Sequence, residues 1–253
     1  MFPVKSAKRV LELFEFFAER QAPATAGEVA SALSFPQSST SMLLRSLVSL
    51  RYLDYDYRTR TFYPTLRILI LGAWVQERVL GELNLLQFME DLSKEIGETV
   101  LLSMQNGIHA LYIHIVEGGE PLHFSIRTYA LRPLARTTIG KALLLSKPNE
   151  EVRALLMRIN AEEEDPTNKV SIPALIEELA EHRKQGFVYT ERSRLIEGVG
   201  VVAMTLPSLI VQTPLVLSAA GPFERIGSKK DRITQHMRKA IEAMTLLSEA
   251  ANT

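Results

Sequence analysis

The sequence predicts an α+β protein in two parts: a helical head closed by a short hairpin, and a larger part of mixed helices and strands. Three observations carry that reading. Residues 5–50 hold three short amphipathic helical patterns in close succession, residues 66–75 are apolar on almost every face of a helix, and residues 84–253 alternate between period-two and period-3.6 patterning.

Composition bounds the answer. The chain has 253 residues, is 46% hydrophobic and carries 29 basic against 29 acidic side chains, enough for one large core or two modest ones. It contains no cysteine, which excludes disulfides, thiolate catalysis and Cys-based metal sites and fits a reducing compartment. Glu12 and Glu15 interrupt the apolar start, so no signal peptide is expected. The longest apolar run, 68–75, falls far short of the ~20 residues that cross a bilayer. The expectation is a cytoplasmic protein without a membrane partner.

The zero net charge conceals an asymmetry. Residues 1–67 hold nine basic and six acidic side chains, a surplus of three that the rest of the chain offsets. Lys5, Lys8 and Arg9 form one basic cluster, and Arg58 and Arg60 another. Phosphate contacts need such local clusters, not a basic whole protein.

In chain order, 5–19 is a first helix with Ala7, Val10, Leu11, Phe14 and Phe17 inward, followed by a break at 21–25 containing Pro23. Thr25 and Glu28 have capping-box spacing for a second helix through Ala32, with Val29, Ala30 and Leu33 facing the core. A tight connection leads to a third helix within 34–51, with Pro36 in its first turn. Leu43, Leu44, Leu47 and Leu50 form one stripe of it, and Ser38, Ser41, Met42, Arg45 and Ser49 the opposite one. A face of small hydroxyls and one arginine suits a DNA major groove. A solvated amphipathic helix satisfies the same pattern, so the neighbours decide. They are two strand-like runs, 52–55 and 61–63, flanking DYRTR, which predict a hairpin with Arg58 and Arg60 at its tip. Three helices and a basic-tipped hairpin make the winged helix-turn-helix plan. The candidate contacts to double-stranded DNA are Gln37, Ser38, Ser39, Ser41, Met42 and Arg45 on the third helix, Arg58 and Arg60 on the wing, and Lys8 and Arg9 on the first helix.

The DNA-binding domain is therefore placed at 1–65, followed by a helix at 66–83, LRILILGAWVQERVLGEL, which includes the only tryptophan, Trp74. A short helix that is apolar all round needs a partner surface, and a second copy of itself supplies one. A homodimer through this linker helix and the DNA-binding domain would also present two recognition helices to a palindromic operator. A core helix inside one larger domain is the alternative. The remainder, 84–253, is a separate α+β domain. Its helices fall at 84–96, 138–146, 150–159, 172–185 and 229–249, its strands at 99–104, 109–116, 122–126, 187–191, 201–206 and 215–220, and a polar loop at 162–169. Leu85, Leu86, Met89, Leu92 and Ile96 face inward on the first of these helices, and Ile233, Met237, Ala240, Ile241 and Met244 on the last. Asn106 and Gly107 mark a hairpin turn, and Gly97 and Gly186 helix stops. A sheet with covering helices of this size suits small-molecule sensing.

Several segments in fixed order resemble one family: VKSAKRVLELFEFFAE, EVASALSFPQSSTSMLLRSLVSLRYL, PLARTTIGKALL at 133–144, GVGVVAMTLP and PLVLSAAGP. Over nearly its whole length the chain is similar to the IclR (isocitrate lyase regulator) family of bacterial transcription factors. The resemblance implies a winged helix-turn-helix, a dimerising linker helix and a GAF-like effector-binding domain that also supports a dimer of dimers. It implies a transcriptional regulator, expected to be a repressor, with no catalytic residues, no cofactor and no metal. The family's third helix commonly begins Pro-Lys-Ser-Thr and carries Arg or His where Met42 stands. With Gln37 and Met42 instead, this helix is expected to lean on Ser38, Ser41 and Arg45 for base reading, Met42 meeting a thymine methyl, while Arg58 and Arg60 reach backbone or minor groove.

By the same resemblance the effector site lies among Leu122, Phe124, Thr138, Ile139, Gly140, Glu191, Val201, Ser218 and Ala220. Backbone N–H groups at the start of the 138–146 helix favour a carboxylate. Many relatives have smaller residues before the glycine, Asp at the position of Glu191 and SxSGP where this chain has SAAGP. Ile139, Val201 and Ala220 make the lining more apolar, although Ile139 and Val201 are equally readable as core. The expected effector is a monocarboxylate with an apolar or aromatic body, whose hydroxyl or amine could donate to Glu191. Other chemistries find little support. His109 and His114 are five apart and should face opposite ways on a strand, EGVGVV lacks the third glycine of a dinucleotide loop, and the acidic run 162–165 suits a solvated loop. An enzyme or scaffold built on the GAF-like domain is the remaining alternative, and no nucleophile and base pair supports it.

Overall fold

The computed structural model describes residues 4–76, 85–120, 130–191, 193, 196–206 and 214–251, and the chain divides into two compact units, 1–77 and 78–253. The first unit runs α1 (Lys5–Arg20), α2 (Ala26–Ala32), α3 (Gln37–Ser49), β1 (Leu53–Asp56), β2 (Thr61–Pro64) and α4 (Arg67–Gln76). Leu13, Phe17, Val29, Leu44, Leu47, Leu53 and Phe62 form its core.

The buried stripe of α1 is Val10, Leu13, Phe14 and Phe17, spaced i, i+3, i+4, i+7. Leu11, expected inside, is 63% exposed because one residue's rotation carries it about 100° off the Val10 position. The capping box of α2 forms as its spacing predicts: Thr25 Oγ1 accepts from the Glu28 N–H at 3.3 Å, and Glu28 Oε2 accepts from the Thr25 N–H at 2.8 Å. Bonds from Thr25, with help from Arg20, hold the Glu28 carboxyl down at about 2.

On α3, Leu44 and Leu47 are buried, Thr40 joins them and Leu43 is half-buried. Pro36 sits at the N-cap with extended backbone, one position before the first turn expected for it. Leu50 is 57% exposed, because the helix ends there and the chain swings into the left-handed conformation at Arg51 (φ 66). In the hairpin Leu53 faces Pro64 and Asp56 faces Thr61. Ala24, in the break between α1 and α2, exchanges backbone hydrogen bonds with Phe62 at 3.0 and 2.8 Å and ties that loop to the wing. The Thr65 hydroxyl donates to the Arg51 carbonyl at 2.7 Å, and the Arg67 guanidinium lies 5.0 Å from the Tyr52 ring centroid, fixing the start of α4 to the hairpin. Leu66, Ile70 and Trp74 are exposed beside Leu69 and Leu71. Residues 77–83 of the expected linker helix lie outside the described residues.

The second unit runs α5 (Leu85–Ile96), β3 (Thr99–Asn106), β4 (His109–Val116), β5 (Leu131–Pro133), α6 (Thr138–Leu145), α7 (Asn149–Glu162), α8 (Ile172–Gln185), β6 (Val188–Thr190), β7 (Val199–Thr205), β8 (Leu215–Pro222) and α9 (Phe223–Ala251). The strands pair antiparallel in the order β5-β4-β3-β8-β7-β6. Strand alternation feeds two cores. Leu101, Val216 and Ala220 pack with α6, α7 and α8, while Val100, Leu102, Leu217 and Ala219 pack with α5 and α9. A sheet covered on both faces accounts for the nearly unbroken apolar runs of β7 and β8.

Several expectations shift. The strand expected at 122–126 lies outside the described residues, and a strand that was not expected, β5, pairs Leu131–Pro133 with the His109 end of β4. Three residues including an arginine and a proline carry no strand periodicity, and proline is tolerated where the strand needs few ladder bonds. Asn106 still pairs with His109, and Gly107 (φ 60) makes the turn. The polar stretch after α7 contains a 3-10 turn at Pro166–Asn168, and α9 starts at Phe223 instead of residue 229.

One buried charge cluster ties this unit together. Glu98, 1% exposed, accepts from Arg225 Nε and Nη2 at 2.8 Å each and from Lys229 Nζ at 3.1 Å. Lys229 also donates to the Ile96 carbonyl at 2.6 Å, and the Ser93 hydroxyl to the Glu98 carbonyl at 3.0 Å, so α5, β3 and α9 meet at one point. A side chain at Gly221 would collide with the Glu98 carboxylate, which explains a glycine late in β8. Among the described residues no helix is long and apolar enough to cross a membrane, and no group of three or more potential ligands could hold a metal ion.

Candidate functional site

The outward face of α3 carries Gln37, Ser38, Met42 and Arg45 exposed, with Ser39 and Ser41 half-buried beside them. Met42 is 72% exposed on that face. Arg9 lies over the Phe35 ring at 4.8 Å and reaches Ser39 Oγ at 3.5 Å, so it braces α1 against the start of α3 while keeping its charge on that surface. Lys5 and Arg9 share a concave surface with Ser39, Met42 and Ser46. Lys8 is exposed and 3.4 Å from Glu12.

The wing tip is built by Asp56, whose carboxylate accepts from the Arg58 N–H at 2.7 Å and the Thr59 N–H at 3.3 Å. Those two bonds hold its carboxyl below the usual range. Arg60 takes the left-handed conformation (φ 57), and Arg58 and Arg60 both project into solvent. Tyr57, which sequence reasoning did not single out, is exposed just before them and packs edge-on against Tyr55 at 4.9 Å. An exposed helix of hydroxyls and one arginine, with a separate basic loop, can pair base-edge contacts with backbone contacts on a duplex.

In the second unit a cavity of about 830 Å³ opens between the α6 face of the sheet, the Pro166–Ser171 segment and the chain after β6. That volume lies within the usual range for small-molecule sites. It is lined by Thr138, Ile139, Glu191, Val201, Ser218 and Ala220, six of the nine expected effector contacts. Gly140 is not on its wall. Its N–H is accepted by Thr137 Oγ1 at 3.1 Å, so it is not among the free donors expected at that helix start, and a Cβ there would collide with the Leu134 carbonyl. Leu122 and Phe124 lie outside the described residues. Ser218 Oγ is fully buried and has no hydrogen-bond partner among the described residues. Thr138 Oγ1 donates to Thr190 Oγ1 at 2.8 Å, joining α6 to β6. Glu191 is exposed, at the rim.

Sequence reasoning missed Tyr112, Arg132, Lys141 and Glu178, all on the wall. Tyr112 and Ala110 share the inward face of β4, a signal that alternation could have given; Arg132 sits on the unforeseen strand and gave none. Glu178 bonds with His182 at 3.4 Å and with Lys141 at 2.6 Å, and these partners, His182 first, hold its carboxyl down at about 2. A depressed carboxyl contributes stability that is complete above its unfolded value near 4.5 and is lost as pH falls toward 2. Glu178→Gln is therefore expected to be less stable than the native chain at pH 5 and to converge with it near pH 2.5, as read by denaturant melts across that range. Parallel stability curves for the two proteins would contradict this.

The family model described as "Bacterial transcriptional regulator IclR C-terminal" matches residues 82–246, and the "IclR helix-turn-helix domain" matches 6–56. The chain is 22% identical to the HTH-type transcriptional repressor AllR of Escherichia coli K12, over 88% of this chain and 82% of that one. Among solved structures it is similar in fold to an IclR transcriptional regulator from Alicyclobacillus acidocaldarius (TM-score 0.77, 18% identity, 98% of this chain and all of that one). It is similar as well to an IclR homolog complexed with 4-hydroxybenzoate from Microbacterium hydrocarbonoxydans (TM-score 0.76, 17% identity, 97% and 100% covered).

Proposed function

Because the chain belongs to the IclR family of bacterial transcriptional regulators, we propose that it is a repressor whose operator binding is controlled by a small organic acid. Members of this family are DNA-binding regulators and not enzymes. The cavity carries the finer reading: at about 830 Å³, with Ile139, Val201 and Ala220 on its sheet and helix side and cationic and hydroxyl side chains over much of the rest, it has room for the aromatic or aliphatic body of a monocarboxylate as well as groups to meet its charge, and we favour such an acid over a compact oxo-acid. The repressor assignment is supported by the likeness to AllR, and an aromatic acid by the 4-hydroxybenzoate bound to the Microbacterium homolog.

Residues 1–65 form the operator-binding domain, 66–83 the linker and 84–253 the effector domain in this reading. Exposed Leu66, Ile70 and Trp74 are covered by a second copy, giving a homodimer through the linker helix and DNA-binding domain, and the effector domains pair dimers into a tetramer. The effector acts by binding the DNA-competent and DNA-incompetent arrangements with different affinity. The test is footprinting on DNA beside the encoding gene, run with a thermal-shift series of aromatic and aliphatic acids. A protected site that is lost or gained at the acid concentration that stabilises the protein is expected. No protected site, or stabilisation only by small polar acids, overturns the reading.

A further inference from the structure

Four described cationic side chains line the cavity, and they differ in what they are free to do. Lys141 Nζ is 2.6 Å from Glu178 Oε1. Arg136 donates to Asn168 and lies 3.8 Å from Glu163. Lys169 is exposed. Arg132, on β5, is half-buried, and its guanidinium carbon stands 5.5 Å from the centroid of the Tyr112 ring. Among the described residues its buried Nε has no hydrogen-bond partner, while Nη1 makes a long bond to the Leu131 carbonyl at 3.4 Å and the guanidinium also interacts with the Tyr112 hydroxyl. No carboxylate among the described residues pairs with it.

A buried guanidinium donor left without an acceptor costs free energy that a ligand oxygen recovers. The Tyr112 ring lies within cation–π range of the guanidinium, whose forked N–H donors match the geometry of a carboxylate. We propose that Arg132 is the anion anchor of the cavity, taking the carboxylate of a monocarboxylic effector on its Nε and Nη edge with the Tyr112 ring as its support. The proposal rests on the cavity being the effector site, and it moves the acid group away from the α6 start, where the Gly140 N–H is already taken. Burial pushes the Tyr112 phenol up, against the lowering effect of Arg132 beside it, so its hydroxyl stays neutral next to the anion. The acid's body then extends along Ile139 and Val201.

The test uses the full-length protein, Arg132→Gln and Arg132→Lys, titrated calorimetrically with 4-hydroxybenzoate, phenylacetate and hexanoate and with the three matching neutral amides. The native protein is expected to prefer at least one acid over its amide by ten-fold or more. Arg132→Gln is expected to lose that preference through weaker acid binding, and a melting temperature of the unliganded variant equal to the native one reports an intact fold. Arg132→Lys is expected to restore part of the preference, since a lysine keeps the charge and lacks the fork. If Arg132→Gln binds the acids as the native protein does, the anchor is elsewhere and the effector-site reading survives. If the native protein binds no acid, or binds amides equally well, the acid reading of the cavity falls and the anchor falls with it.

Discussion

Glu98→Gln is expected to destabilise the C-terminal unit by about 3 kcal/mol, the lower end of the cost of breaking a buried ion pair, because Arg225 and Lys229 remain partly exposed. The amide leaves two cations facing each other without the carboxylate that accepts three of their hydrogen bonds. Water reaches the cations but not the residue at 98, so the penalty is concentrated where relaxation is smallest. For a domain of this size the melting temperature should fall by roughly 6 °C or more. Pairing Glu98→Gln with Arg225→Met should recover part of the loss, and the coupling is read from a double-mutant cycle. Additive losses would show that Glu98 and Arg225 do not act as a pair.

Arg45→Ala is expected to weaken binding to the operator by about 1–3 kcal/mol, roughly five-fold or more, with little change on scrambled DNA. Arg45 is the one cation on the outward face of α3, flanked by hydroxyls and by exposed Met42, so base-edge reading has no nearby substitute. Arg58→Ala, at a wing tip held by Asp56, is expected to weaken both DNAs alike and to reduce the salt dependence by about one phosphate. Binding measured on both DNAs from low to high salt separates the cases. Equal loss on the two DNAs for Arg45→Ala would make it a phosphate contact.

The helices were legible wherever a local code wrote them. The Thr25–Glu28 capping box, the Gly186 stop after α8 and the leucines of α3 all act within a turn or two of chain. What stayed hidden depends on distant partners. Leu11 and Leu13 look alike in sequence, and only the packing of α1 against Val29 and Leu44 selects Leu13. β5 is too short to carry a period, and it exists because the His109 end of β4 supplies its ladder. The cavity was legible through its family-like segments, which brought Thr138, Ile139, Glu191, Val201, Ser218 and Ala220 to one wall. Arg132 and Tyr112 were not, since each belongs to the site only after two strands pair.

The close approach at Gly140 makes one corner of the cavity mechanically stiff. The α6 backbone rests on the Leu134 carbonyl, Thr137 Oγ1 donates to the Pro133 carbonyl at 2.9 Å, and the same oxygen accepts the Gly140 N–H. These contacts join β5 to the start of α6, so the strand that carries Arg132 and the helix that carries Thr138 and Ile139 meet at one hydrogen-bonded corner. If the cavity holds the effector as proposed, an acid held at Arg132 and one held against Ile139 would load this same corner.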